Sequence, residues 1–169
     1  MSLERLWAGW RSEYVGSAGA GSDDDGGCVL CRVVADADSV VWRGRKVAVI
    51  LNAFPYTSGH LMVLPIRHVG ELEDLEGDEA TELWATVTDA VKALKAAYQP
   101  EGINLGVNLG RAAGAGVPGH CHVHGLPRWV GDTNFTTAVA ETRVLPEALP
   151  VTMEKLRAAW PERAPTENS

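Results

Sequence analysis

The chain has little of several features that would assign it to a particular class of protein. It contains three cysteines among 169 residues, and this small, odd number argues against a disulfide framework. No segment approaches the ~18 consecutive apolar residues of a membrane-spanning helix, and the first residues lack the apolar core of a signal peptide. We therefore expect a cytoplasmic protein with no membrane partner.

Positive charge is also scarce. The chain has 15 lysine and arginine residues against 22 aspartate and glutamate residues, which gives a net charge of −7. This balance argues against binding to a nucleic-acid backbone, so any recognition of phosphate must be local. The sequence has no internal repeat, and its length suits one buried core rather than two.

The composition changes along the chain and divides it into three segments. Residues 3–14 carry apolar side chains at helical spacing, whereas residues 16–27 are rich in glycine, serine and aspartate. We predict an amino-terminal helix and flexible loop over residues 1–27. A folded domain over residues 28–160 and a disordered polar tail over residues 161–169 complete the chain.

Strand-like and helical patterns follow one another within the folded segment. Alternating and β-branched runs predict antiparallel strands, and apolar side chains at helical spacing predict one long helix that ends before Pro100. The pattern is typical of an α+β domain, with a five-stranded antiparallel sheet, one long helix and additional short helices. The strands are predicted at 40–42, 46–51, 60–65, 103–108 and around 120–124, a short helical turn at 71–75, and helices at 79–98 and 146–160.

Three histidines at alternate positions are the most informative feature of the sequence. Side chains alternate across a β-strand, so His120, His122 and His124 would share one face, with neighbours ~6.5–7 Å apart. Imidazole is both the commonest metal ligand and a competent nucleophile. The spacing therefore leaves a metal site and a catalytic site equally open.

A glycine-rich loop leads into the histidines. Gly114, Gly116 and Gly119 have no β-carbon, so backbone N–H groups there could approach a phosphate oxygen closely. The alternative is a hairpin without a catalytic role, because the loop lacks the lysine pattern of a phosphate-binding loop.

Two of the cysteines form a Cys-x-x-Cys pair. No thioredoxin-like strand precedes Cys28 and Cys31, which weakens a redox interpretation. A zinc site is favoured, but two cysteines supply only half of a tetrahedral shell and two more ligands are needed.

Two blocks of sequence resemble the histidine triad (HIT) family. The run HCHVHGLP at 120–127 is similar to the family signature, and LNAFPYTSGHLMVLPIRH at 51–68 is similar to its upstream block. With the cysteine pair, the similarity spans about residues 28–134. The segments at 5–7 and 127–135 resemble the bacterial branch related to diadenosine tetraphosphate phosphorylases and hydrolases. The resemblance implies a HIT-like catalytic domain and a homodimer or larger homo-oligomer.

The resemblance also implies an enzyme with a covalent intermediate. His122 would attack the α-phosphorus of a nucleotide, while a backbone carbonyl of the glycine-rich loop holds its other ring nitrogen. His124 and His60 would contact the phosphate oxygens. A nucleoside phosphoramidase, or a nucleotide-binding protein with weak catalysis, are the alternative functions.

The substrate-binding residues follow from the same resemblance. Asn52 would hold the ribose hydroxyls, and Leu51 and Phe54 would form walls for the base, expected to be adenine. Ordinary core packing accounts for these two apolar side chains almost as well. The remaining positions lie near the phosphate and are Asn108, Gly114 and Gly116.

Two departures from the family pattern bear on substrate choice and turnover. Many relatives carry a glutamine and a serine or threonine where this chain has Gly116 and Val117, so backbone amides must substitute for side-chain contacts. Gly125 stands where an apolar residue is usual.

A complete metal shell is the last implication of the resemblance. Zinc-bearing members pair the Cys-x-x-Cys with two histidines, which match His68 and His120 here. Cys28, Cys31, His68 and His120 would close a tetrahedral shell around a structural Zn²⁺, with no organic cofactor. The alternative is two free thiols and two hydrogen-bonded histidines.

Overall fold

Five strands and three α-helices make up the part of the chain that the computed structural model describes, residues 27–132 and 147–162. The predicted helix at 3–14, most of the glycine-rich loop at 16–27 and most of the tail at 161–169 lie outside the described residues. In chain order the α-helices and strands are α1 (Val29–Ala35), β1 (Val40–Arg43), β2 (Val47–Leu51), β3 (Leu61–Pro65), α2 (Gly77–Tyr98), β4 (Gly102–Val107), β5 (Val123–Arg128) and α3 (Leu149–Ala159). A short 3-10 helix at Leu72–Asp74 lies where a helical turn is predicted at 71–75.

The strands form one antiparallel sheet in the order β1-β2-β3-β5-β4. Strands β2 and β3 pair along their whole length, and β4 pairs with β5 from Gly102↔Arg128 to Val107↔Val123. This arrangement confirms the predicted α+β class and the five-stranded antiparallel sheet. None of the described helices is long and apolar enough to cross a bilayer.

The two faces of the sheet pack against different helices. One face carries Val49, Leu61 and Val63 and packs against the long helix α2 and the last helix α3. The opposite face carries Ile50 and Met62 and packs against α1. Because Met62 pairs with His124 across β3 and β5, His124 shares the α1 face of the sheet.

Helix α2 is fixed at both ends. At its start Glu76 and Glu79 form a reciprocal capping box, and Glu79, which is 2% exposed, also accepts a hydrogen bond from Arg67 at 2.7 Å. At its end Gln99 adopts the left-handed conformation with φ 47° and caps Lys95. The helix therefore begins and ends at fixed points over the sheet.

Gly125 lies where the sheet meets α2. A β-carbon at this position would stand 3.0 Å from Leu61 Cδ1 and 3.6 Å from Leu94 Cδ1. The absence of the usual apolar side chain thus leaves room for close packing of α2, on the face of the sheet away from His124.

Three elements were not predicted or differ from the prediction by more than two residues at one end. Helix α1 was not predicted, because its two buried side chains, Leu30 and Val34, give too short a periodic pattern. The last helix begins at Leu149 rather than at 146, a position outside the described residues. Strand β5 begins at Val123, so His124 alone of the histidine triplet is part of a strand.

Candidate functional site

Three histidine rings lie next to one another on the α1 face of the sheet. The His60 and His124 ring centroids are 5.1 Å apart, and those of His122 and His124 are 4.8 Å apart. All three side chains are buried, with exposed fractions of 1%, 6% and 9% for His60, His122 and His124. The structure therefore brings together the three residues that the sequence analysis placed at a phosphate.

The His122 ring is held by the main chain. Its Nδ1 lies 2.7 Å from the His120 carbonyl oxygen, which can only accept, so Nδ1 carries the proton and Nε2 presents a lone pair. The acceptor is the first histidine of the triplet rather than a carbonyl of the preceding loop. Burial lowers the pKa of His122, and the bond to the carbonyl opposes this shift.

A second chain of hydrogen bonds sets the proton positions on His60 and His124. The Tyr56 backbone N–H donates to His60 Nδ1 at 3.1 Å, so this nitrogen is unprotonated and the neutral ring carries its proton on Nε2. His60 Nε2 then donates to His124 Nδ1 at 3.0 Å. His124 is left with its own proton on Nε2, where it is a hydrogen-bond donor.

Burial and the neighbouring His122 lower the pKa of His124 to about 4. A neutral His124 at physiological pH agrees with the hydrogen bond that its Nδ1 accepts from His60. The ring can therefore donate one hydrogen bond without bringing a positive charge into the site.

The loop before His60 carries aromatic and amide groups next to the histidines. The Tyr56 ring lies 4.8 Å from the His60 ring, and Asn52 Nδ2 lies 3.4 Å from His60 Nε2. Phe54 is 72% exposed and its backbone N–H donates to Asn52 Oδ1 at 2.9 Å. Core packing therefore does not account for Phe54, whose side chain is available for a ligand.

Leu51 is not brought to the histidines. It pairs with Leu61 and packs against the core cluster beneath α2, on the opposite face of the sheet. Its neighbour Ile50 lies on the α1 face but is 1% exposed and packs within that core. Core packing on this face therefore accounts for Leu51 without a place in a nucleotide pocket.

Asn108 and the glycine-rich loop lie beside the start of β5. Val107 pairs with Val123, so Asn108 leaves the sheet next to His122. The Asn108 side-chain amide donates to the Gly114 carbonyl at 3.5 Å. Gly116 follows in the same loop, ahead of the histidine triplet.

Cys28, Cys31, His68 and His120 form a separate cluster of donor atoms. One sulfur or nitrogen atom from each residue lies within 4.8 Å of those of the other three. Three Sγ–Nδ1 distances, Cys28–His120, Cys31–His120 and Cys31–His68, are each 3.4 Å. A tetrahedral zinc ion with ordinary bond lengths would separate sulfur and nitrogen ligands by ~3.6 Å. The donor set and its spacing therefore fit such an ion.

The surroundings of this cluster would suit a bound cation. His120 Nε2 donates to the Pro65 carbonyl at 2.9 Å, which leaves Nδ1 unprotonated and facing the sulfurs. Burial and the neighbouring Cys28 raise the pKa of the Cys31 thiol, because two thiolates would repel each other. A cation would relieve this repulsion and hold both sulfurs as thiolates.

His120 belongs to both parts of the site. Its ring is one of the four clustered donors, while its carbonyl accepts the Nδ1–H of His122. The position of the candidate nucleophile is therefore tied through one residue to the cysteine pair, which is about 90 residues away in sequence.

Two groups of the site were missed in the sequence analysis. Tyr56 and the Pro65 carbonyl lie within the upstream block at 51–68, but both act mainly through the backbone. Any residue type can make a backbone contact, so a single sequence gives no sign of it. Only the Tyr56 ring, as an aromatic side chain four residues before His60, offered a signal.

The sequence was compared with protein families and with other proteins. A profile of the HIT domain matches residues 35–130. The AP-4-A phosphorylase of Mycobacterium tuberculosis is 38% identical over 165 residues, covering 94% of this chain and 85% of that protein. The asymmetrical bis(5'-nucleosyl)-tetraphosphatase of Schizosaccharomyces pombe is 34% identical over 93 residues, covering 55% of this chain and 50% of that protein.

The fold was compared with solved structures. A Zn-bound histidine triad family protein from Mycobacterium smegmatis matches with a TM-score of 0.64 and 29% identity. The match covers 78% of this chain and 91% of that protein.

Proposed function

The chain belongs to the HIT domain family, and we propose that it is a nucleotidyl-transferring enzyme that cleaves a dinucleoside polyphosphate at its α-phosphorus. The observation that carries this proposal is the 2.7 Å bond from His122 Nδ1 to the His120 carbonyl, which leaves Nε2 as a neutral nucleophile. The relative named AP-4-A phosphorylase supports diadenosine tetraphosphate as the substrate.

In the first step, His122 Nε2 forms a bond to the α-phosphorus while the bond from phosphorus to the bridging oxygen breaks. ATP leaves, and AMP stays attached to the ring. The Nδ1 proton stays on the ring and is donated to the His120 carbonyl, which fixes the ring throughout. The Nε2–H of His124 donates to a phosphate oxygen, where it stabilises the developing charge.

In the second step, an oxygen of the acceptor attacks the same phosphorus and His122 leaves. Inorganic phosphate as acceptor gives ADP, and water gives AMP. The relative that covers 94% of the chain carries the phosphorylase name, which favours phosphate over water.

Product analysis tests the proposal directly. Diadenosine tetraphosphate is incubated with the full chain, with and without inorganic phosphate, and the nucleotides are separated. ADP and ATP formed only with phosphate indicate a phosphorylase, whereas AMP and ATP under both conditions indicate a hydrolase. Unchanged turnover in His122→Asn would remove His122 as the nucleophile.

Two other outcomes correspond to the alternative functions. Faster cleavage of adenosine phosphoramidate than of the dinucleotide would indicate a phosphoramidase. Nucleotide binding without turnover of either substrate, and without a trapped phosphohistidine adduct, would indicate a binding protein. The absence of polar side chains at Gly116 and Val117 is the observation that motivates this second outcome.

We also propose that Cys28, Cys31, His68 and His120 hold a structural Zn²⁺. The ion would supply a cross-link between α1, the segment after β3 and the segment before β5, and the chemistry at phosphorus would remain with the histidines. Metal analysis should find one zinc per chain. Cys31→Ser should lower both the zinc content and the Tm, whereas Cys121→Ser, a buried cysteine outside the cluster, should keep the zinc.

A homodimer is the assembly we propose. Strand β4 is an edge of the sheet, and Leu105 on it is exposed. Sedimentation should give twice the chain mass for the native protein, and Leu105→Lys should reduce the mass of the assembly. A monomeric native protein would contradict this proposal. The cytoplasmic location stays a prediction.

A further inference from the structure

Two basic side chains differ from all others in the described part of the chain. Within residues 27–132 and 147–162, the side chains of Arg111 and Lys95 have no hydrogen bond or ion pair, whereas those of the other lysines and arginines have partners. Lys95 projects from α2, which packs on the face of the sheet away from the histidines. Arg111 lies in the loop that joins β4 to β5.

The backbone places Arg111 near the candidate nucleophile. Asn108 leaves the sheet beside His122, and the three residues from Asn108 to Arg111 span at most ~11 Å. Arg111 begins a turn in which its carbonyl accepts from the Gly114 N–H at 3.0 Å. Because Asn108 also donates to the Gly114 carbonyl, the turn is held against the end of β4.

The histidines cannot supply the positive charge that a polyphosphate requires. His60 is neutral because its Nδ1 accepts from the Tyr56 N–H, and His124 Nδ1 accepts from His60 in turn. The leaving group of the first step is a nucleoside triphosphate with several negative charges. A guanidinium binds phosphate oxygens with two parallel hydrogen bonds, and Arg111 has no competing carboxylate among the described residues.

We propose that Arg111 binds the leaving phosphates of the dinucleoside polyphosphate and so makes the site prefer a long polyphosphate over a single phosphate. This proposal rests on the proposed function. It assigns to the β4–β5 loop a specificity-determining side chain in addition to its backbone amides.

Binding to a chain that cannot turn over its ligand tests the proposal. In the His122→Asn background, calorimetry measures the Kd of diadenosine tetraphosphate and of AMP, with and without Arg111→Gln. Loss of one charge-assisted contact should raise the Kd of the dinucleotide about 10- to 100-fold and that of AMP less than about 3-fold. The Kd of the dinucleotide for Arg111→Lys should lie between the values for Arg111 and for Arg111→Gln. Lys95→Gln, with the same change in net charge, should alter neither value.

A second measurement avoids the His122 variant. In the otherwise native chain, Arg111→Gln should lower kcat/KM for diadenosine tetraphosphate by the same factor. The role of Arg111 would be overturned if Arg111→Gln changed the Kd of both nucleotides equally or left the values for the dinucleotide unchanged. It would also be overturned if Lys95→Gln had the same effect. Each of these outcomes would leave the proposed function standing. If the native chain cleaves no dinucleotide and the His122→Asn chain binds neither nucleotide, the proposed function itself fails and this proposal fails with it.

Discussion

The hydrogen bond from His60 to His124 offers a sharp test of how the site works. His60 accepts at Nδ1 from the Tyr56 N–H and donates at Nε2 to His124, so it is a positioning residue that fixes the His124 proton on Nε2. Replacing His60 with glutamine or with asparagine tests the two contacts one at a time. In His60→Gln the amide nitrogen stands in for Nε2 and keeps the donor, whereas in His60→Asn the amide oxygen stands in for Nδ1 and keeps the acceptor.

The expected size of the effect follows from burial. His60 and His124 are 1% and 9% exposed, so water cannot replace the 3.0 Å bond between them. An unsatisfied buried acceptor costs about 1–3 kcal/mol, which corresponds to roughly a 5- to 150-fold fall in kcat/KM for the variant that loses the donor. His60→Gln should lie closer to the native protein than His60→Asn does.

The assay is the initial rate of diadenosine tetraphosphate cleavage at low substrate concentration. The Tm of each variant shows whether it is folded. His60→Ala gives the value of kcat/KM in the absence of both contacts. If His60→Asn is as active as His60→Gln or more active, the Nε2 donor does not matter and the inferred proton position on His124 is wrong.

Three further perturbations follow from other parts of the structure. The pKa of His124 is about 4 in the folded protein and ~6.5 when unfolded, so the free energy of unfolding should fall by on the order of 3 kcal/mol between pH 6.5 and 4. Urea titrations should show less of this loss in His124→Asn. Glu79→Ala removes the ion pair with the half-exposed Arg67 and the capping box, and it should lower the unfolding free energy by about 1–2 kcal/mol without changing the rate per folded molecule. Gly125→Val should crowd Leu61 and lower the Tm by overpacking worth about 1–3 kcal/mol, and an unchanged Tm would contradict the close contact.

Elements with a long periodic pattern could be predicted from the sequence. Helix α2 and strands β1 to β4 lie within two residues of their predicted bounds; β2 and β3 are buried on both faces, and α2 carries its apolar side chains at helical spacing. The grouping of Cys28, Cys31, His68 and His120 came from a resemblance, and their side chains do converge. Their role as zinc ligands stays a prediction.

Contacts made by the backbone could not be predicted. The His120 carbonyl, the Pro65 carbonyl and the Tyr56 N–H decide which nitrogen of each imidazole carries its proton, yet any residue type could supply them. Side chains alternate between the two faces of a strand, so a shift of one residue in the register would move Leu51 to the opposite face. Only the observed register shows that Ile50, and not Leu51, lies on the α1 face.

The cluster that joins Cys28 and Cys31 to His120 constrains the order in which the chain folds. During synthesis the two thiols emerge about 90 residues before the imidazole that completes their surroundings. Until β5 pairs with β3, the cysteines have neither His120 nor the carbonyl that orients it. The four donors of the cluster therefore come together only once β5 has paired with β3, so an amino-terminal fragment that ends before β5 retains the cysteine pair but not the cluster.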